Sequence, residues 1–357
     1  MAGILARYRK FYDFDEAFQI VSLEEGSTPL IPAPAVAELV NHYAGATNVS
    51  VFLKFEGLNP TGSFKDRGMT YAVSRALSDG HQHIICASTG NTSASAAAYG
   101  ARAGLNALII LPAGKVALGK LSQAILYGAA IVEIEGNFDQ ALEIVRDLGA
   151  SGKACVVNSI NPYRIEGQKT GAFELCDALG RAPDDLYIPV GNAGNITAYW
   201  KGFKEYADAG VVKNKPRMNG FEAEGAAAIA LNRKIDSPET FATAIRIGNP
   251  ASWAQAEAAR DESGGQVGWV TDAEIAEAYR ILAAKEGVFC EPSSAASVAG
   301  LFKTAKAMSQ KIQSNSQIVC VLTGNGLKDP DSAIQYGNPK RATLPADSDA
   351  VADFFGL

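Results

Sequence analysis

The chain has 357 residues, 47% hydrophobic and 20% charged, a composition ordinary for globular proteins at a length that suits two domains. A formal net charge of −6 excludes the broad basic surface that nucleic acid demands. The chain has no run of about 18 uninterrupted apolar residues, as a membrane span would require.

The first residues, MAGILARYRKFYDFDE, lack the apolar stretch and small-residue cleavage site of a signal peptide. The five cysteines show no C-x-x-C spacing, and His42, His81 and His83 show no metal-ligand spacing. A cytoplasmic, reduced protein without a metal site is the expectation.

Apolar runs that end in small or turn residues read as strands over 83–88, 105–111, 129–134, 154–159, 185–191, 219–225 and 318–324. Helical periodicity occupies 69–77, 138–148, 163–179 and 272–287. The alternation predicts an α/β fold with parallel sheets covered on both faces. Ligands bind such sheets beyond the carboxyl ends of the strands, where a turn meets a helix N-terminus. The residues after each apolar run are therefore the ones to inspect. The acidic tail over 343–357 ends in apolar residues and carries no motif.

In chain order, the first such segment is Asn59-Pro60-Thr61-Gly62-Ser63-Phe64-Lys65-Asp66-Arg67-Gly68. Ser63 and Asp66 match a capping box, which predicts a helix from Ser63. Lys65 and Arg67 would then lie in the first turn, the wrong end for cations. The violation has a use, because a lysine beside a helix N-terminus and an arginine is more easily neutral, as Schiff-base chemistry requires.

Ser88-Thr89-Gly90-Asn91-Thr92 gathers hydroxyls, an amide and free N–H groups at one helix start, a seat for a carboxylate or a phenolate oxygen. Gly114–Lys120 matches the opening of a P-loop, but Leu121 stands where the magnesium-binding hydroxyl belongs, so the match carries nothing. Asn158-Ser159 with Arg164 brings a guanidinium fork suited to phosphate. Gly191-Asn192-Ala193-Gly194-Asn195 lies between a buried strand and a helix, a nest for a phosphate. The cluster Lys213–Arg217 reads as a solvated loop, and Thr323 puts a neutral hydroxyl at a sheet end.

These segments, with Arg246–Pro250 and Thr323–Pro330, resemble the threonine synthase family among the fold-type II pyridoxal-phosphate enzymes, over most of the chain from Thr28 to Pro330. The resemblance implies two open, twisted, mostly parallel sheet domains of the tryptophan synthase β type, with the cofactor in the cleft between them. The smaller domain would span 56–155, and the larger would combine 1–55 with 156–357. By resemblance, Lys65 holds pyridoxal 5′-phosphate covalently and moves protons. Asn91 meets the cofactor's phenolic oxygen, residues 191–195 (Gly191, Asn192, Ala193, Gly194, Asn195) hold its phosphate, and Thr323 meets its pyridine nitrogen.

Ser88, Thr89 and Asn91 would receive the carboxylate of O-phospho-L-homoserine, and Thr92, Ser159, Arg164 and Asn192 its phosphate. A homodimer is implied by the same route. Two rivals stand beside this reading. One is a threonine or serine dehydratase of the same fold, which has no substrate phosphate for Arg164 to bind. The other is a non-catalytic binder of phosphorylated metabolites.

Overall fold

The structure, a computed structural model, describes residues 3–114, 118–307, 312–337, 339 and 341–357. The P-loop-like match falls partly on residues 115–117, which lie outside the described residues.

The strands are β1 (Leu30–Pro32), β2 (Ser50–Phe55), β3 (His83–Ala87), β4 (Asn106–Pro112), β5 (Ala130–Ile134), β6 (Cys155–Val156), β7 (Asp185–Pro189), β8 (Arg217–Ala223), β9 (Gln266–Val270) and β10 (Gln317–Leu322). The helices begin with α1 (Ile4–Arg7), α2 (Pro34–Ala44), α3 (Lys65–Ser78), α4 (Asn91–Ala103), α5 (Leu118–Leu126), α6 (Phe138–Ala150) and α7 (Pro162–Gln168). They continue with α8 (Thr170–Leu179), α9 (Gly194–Asp208), α10 (Trp253–Ser263), α11 (Asp272–Glu286), α12 (Pro292–Lys306), α13 (Pro330–Tyr336) and α14 (Ser348–Phe355).

Two sheets form, one ordered β1-β2-β10-β7-β8-β9 and the other β5-β4-β3-β6. All neighbours run parallel except β1 and β2. The fold is therefore the expected α/β class, two mostly parallel sheets flanked by helices. Strand β10 explains the layering. Ile318, Cys320 and Leu322 face one core with Val298 and Leu301, while Val319 and Val321 face another with Ile196 and Phe203. A strand buried on both faces reads as a continuous apolar run, which is why its alternation is invisible in the sequence. The smaller sheet divides in the same way, with Cys86 and Ile109 on one side and Ile85 and Ile110 on the other.

The smaller sheet runs from His83 to Val156. We propose the division into a smaller domain over 56–155 and a larger one over 1–55 and 156–357, because one sheet falls on each but for Val156, the last residue of β6.

Three features differ from expectation, and for the tail the sequence sets none. Strands β1, β2 and β9 break the apolar pattern: β1 has three residues, β2 carries Lys54, and β9 carries Gln266 and Gly268. The stretch 163–179 divides into α7 and α8 around Lys169, whose buried ammonium is held by Phe11 O, Glu166 and Glu205. Arg217 is not in a solvated loop: it opens β8, and its guanidinium donates to both carboxylate oxygens of Asp185, at 2.8 and 2.6 Å. The tail forms α14, in which no residue is buried.

Candidate active site

The loop after β2 is laced to the end of β10 before it enters α3. Phe64 N donates to Thr323 O at 3.0 Å, and Asn325 N donates to Gly62 O at 2.9 Å. The helix then starts at Lys65, two residues later than the expected cap, and Phe64 caps it without a side-chain hydrogen bond. Asp66 does not close a capping box. Its carboxylate takes Thr61 N at 2.7 Å, Thr61 Oγ1 at 2.6 Å and Ser95 Oγ at 2.6 Å, because a carboxylate buried this completely needs donors on every side. Burial nevertheless pushes the Asp66 carboxyl up to about 6. Asp66 thus ties the loop before Lys65 to α4.

Arg67 is likewise not the cation that acts on Lys65. Its guanidinium reaches Glu56 at 2.6 Å and Glu174 at 2.6 Å, and Lys54 joins Glu174 at 2.7 Å. Two cations and two anions cancel in a buried network. The Lys65 amine is lowered from its ordinary value to about 7, first by burial and then by the guanidinium of Arg164, while the Glu291 carboxylate pulls the other way. The expected neutral-leaning amine is present, but its cationic neighbour stands on α7.

Glycines permit that approach. A β-carbon on Gly167 would stand 1.9 Å from Arg67 O, so α3 and α7 touch backbone to backbone. Arg164 is 1% exposed; its Nη1 donates to Val157 O at 2.7 Å, and its Nε has no partner. Among the described residues no carboxylate pairs with it, and burial pulls its guanidinium down to about 10. A buried cation without a counter-ion is costly, and an anion arriving at that place relieves the cost.

Asn158 fixes the neighbouring turns. Its side chain takes Ala87 N at 3.0 Å and gives to Ala87 O at 3.0 Å, which clamps the Ser159 loop to the Ser88–Thr92 turn. In that turn Gly90 N donates to Ser88 Oγ at 3.3 Å, and Asn91 Nδ2 donates to Glu291 Oε2 at 2.9 Å. The hydroxyls of Thr89, Thr92 and Ser159 make no hydrogen bond among the described residues.

The 191–195 loop follows β7, the strand beside β10. Ala193 caps α9 in the left-handed region at φ 63°, strain that a non-glycine residue carries only where surroundings impose it. The result is a nest of N–H groups at a helix start. Both polar side-chain atoms of Asn195 are buried without partners. Asn192 is held from behind, its backbone oxygen by Ser252 N at 3.1 Å and its side-chain oxygen by Ala251 N at 3.3 Å. Gly194 lies against Ile165, the residue after Arg164.

Thr323 is 5% exposed and bonded to Glu291 and Ser294, each at 2.9 Å. The structure therefore brings Lys65, Asn91, Thr323 and Arg164 to one polar centre, with the Ser88 and Ser159 turns and the 191–195 loop adjoining it. Glu291 was not legible in the sequence. An acid before a proline at a helix start reads as an ordinary cap, and no spacing sets it apart.

The family model described as pyridoxal-phosphate dependent enzyme matches residues 21–324. A threonine synthase of Halalkalibacterium halodurans is 57% identical over 98% of this chain and 96% of its own. A threonine synthase of Synechocystis is 57% identical over 99% of this chain and 91% of its own. The chain belongs to the threonine synthase family of pyridoxal-phosphate-dependent enzymes. A solved maize serine racemase superposes with a TM-score of 0.74 at 20% identity, over 94% of this chain and 97% of that one, a likeness of fold.

The family's cofactor is pyridoxal 5′-phosphate, and the residues present fit it. The orphaned amide of Asn195 and the strained nest at Ala193 suit its phosphate, and an amine held near neutrality suits its aldehyde.

Proposed function

We propose that the protein converts O-phospho-L-homoserine and water into L-threonine and inorganic phosphate, by γ-elimination followed by addition of water at Cβ. The observation that carries this reading is the buried Arg164 guanidinium, without a counter-ion among the described residues, beside the Lys65 amine. A substrate that loses phosphate needs a second anion seat next to the reacting carbon.

Residues 191–195 would hold the cofactor phosphate, Thr323 its ring nitrogen and Asn91 its phenolic oxygen. When bound, the cofactor supplies an electron sink for charge that develops on the substrate. Ser88, Thr89 and Asn91 bind the substrate carboxylate; Thr92, Ser159, Arg164 and Asn192 bind its phosphate. Lys65 would take the proton from Cα and, after passing it on, one from Cβ; it would return protons to Cγ, which becomes the methyl group, and to Cα. An amine brought down to about 7 accepts and returns protons at neutral pH with little driving force lost in either direction. Arg164 holds the phosphate while the Cγ–O bond breaks, and water then supplies the hydroxyl at Cβ. The family resemblance further implies a cytoplasmic homodimer.

The test is to incubate the cofactor-loaded chain with O-phospho-L-homoserine and measure phosphate and threonine together. Equal yields are expected. Deamination of threonine without phosphate release would replace this reading with the dehydratase one.

A further inference from the structure

Glu291 precedes α12 and is 4% exposed. It stands in the N-cap position, yet its side chain makes no cap hydrogen bond to the helix it precedes. A carboxylate so placed ordinarily takes the free first-turn N–H groups. Here it turns the other way: Oε1 takes the hydroxyl of Thr323 at 2.9 Å and Oε2 takes Asn91 Nδ2 at 2.9 Å. The chain keeps room for it, because a β-carbon on Gly324 would stand 2.6 Å from its carboxyl carbon. Glu291 N also donates to Gly324 O at 2.9 Å, which fixes the carboxylate to the strand end that carries Thr323.

We propose that Glu291 is a positioning residue of the cofactor pocket, aiming the Asn91 amide and the Thr323 hydroxyl and balancing the charge of Arg164 at Lys65. This rests on the proposed function, since Asn91 and Thr323 matter only if they face the cofactor. Thr323 Oγ1 lies 2.9 Å from the Glu291 carboxylate and 2.9 Å from Ser294 Oγ, so its side chain is held in one rotamer from two sides. Asn91 commits one N–H to Glu291 and keeps the other to donate to the phenolic oxygen. The titratable groups facing the carboxylate are Lys65 on α3, Lys328 after β10 and the Cys290 thiol beside it.

The experiment measures binding of pyridoxal 5′-phosphate to the full chain across pH, for the wild type, Glu291→Gln and Glu291→Asp. Binding strengthens as Lys65 loses its proton, so its pH midpoint reports that amine. Removing the negative charge disfavours the ammonium; Glu291→Gln is expected to lower the midpoint by about one pH unit. It is also expected to weaken binding about ten-fold, the equivalent of one charged hydrogen bond. Wild-type midpoint and affinity in Glu291→Gln overturn the proposal. Should that variant fail to fold, Glu291→Asp decides. It keeps the charge on a shorter arm, so an unmoved midpoint with several-fold weaker binding is expected, and unchanged binding overturns the proposal. A wild-type chain that fails to bind the cofactor at all would instead sink the proposed function.

Discussion

Arg164 Nε lies 2.7 Å from the point where a β-carbon on Gly68 would stand, and Arg164 O lies equally near it. The glycine that closes the Ser63–Gly68 motif is thus the floor on which the guanidinium rests. A flexible side chain could yield, but a carbonyl oxygen cannot. Gly68→Ala is expected to push α7 from α3 and cost about 1–3 kcal/mol, the usual range for overpacking a tight contact. Urea unfolding checks this, and an unchanged midpoint and slope would refute the contact.

Arg164 itself is testable in the reaction. Arg164→Ala should lose mainly in kcat/KM for the phosphorylated substrate, by about 2–4 kcal/mol for a lost charged hydrogen bond. Arg164→Lys should recover only part, because an ammonium is a point charge and cannot present a fork. Steady-state kinetics with both variants reads this directly; equal kcat/KM in all three proteins would move the substrate phosphate elsewhere.

Lys65 should be separable from stability. Lys65→Ala is expected to abolish turnover and the visible cofactor absorption while unfolding as the wild type does. In the wild type, cofactor binding should rise with pH around about 7 instead of near the ordinary lysine value of 10.5. The sign follows from the neutral amine being the reactive form. A midpoint near the ordinary value would mean that burial and Arg164 do not reach the amine.

The network of Lys54, Glu56, Arg67 and Glu174 carries stability. Burial opposes ionisation of both carboxyls, yet Arg67 outweighs it and holds them below the usual range. Groups depressed on folding stabilise above the unfolded value of 4.5 and lose that contribution as pH falls through the folded one. Arg67→Met leaves two buried acids with one lysine and should cost about 3–5 kcal/mol at neutral pH. The gap to wild type should narrow on acidification, which unfolding curves at several pH values will show.

How much of this was readable in advance follows from how each residue signals itself. Strands β3, β4, β7 and β10 are continuous apolar runs because both faces are covered, so they stood out. Strand β2 hides because Lys54, a charged residue next to its last position, is buried by pairing with Glu174. The candidate site residues lie in polar turns after strands, where a sheet of this class puts its chemistry. The wrong steps concern partners. Asp66 and Arg67 sit at helix-start positions that predict capping and repulsion, but each is consumed by residues far away in sequence, Ser95 for one and Glu174 for the other. Glu291 was missed for the converse reason: its position predicts a local partner, and its carboxylate finds Asn91, 200 residues away.

The strand order has a consequence for how the chain is made. Strand β10 lies between β2 and β7. The β1–β2 pair leaves the ribosome early, but the strand that joins it to the rest is among the last synthesised. Strands β3 to β6, by contrast, follow one another in the chain with no later strand needed to join them, which favours early folding. A nascent chain halted before residue 317 should therefore hold a protease-resistant smaller sheet while β1 and β2 are still cleavable.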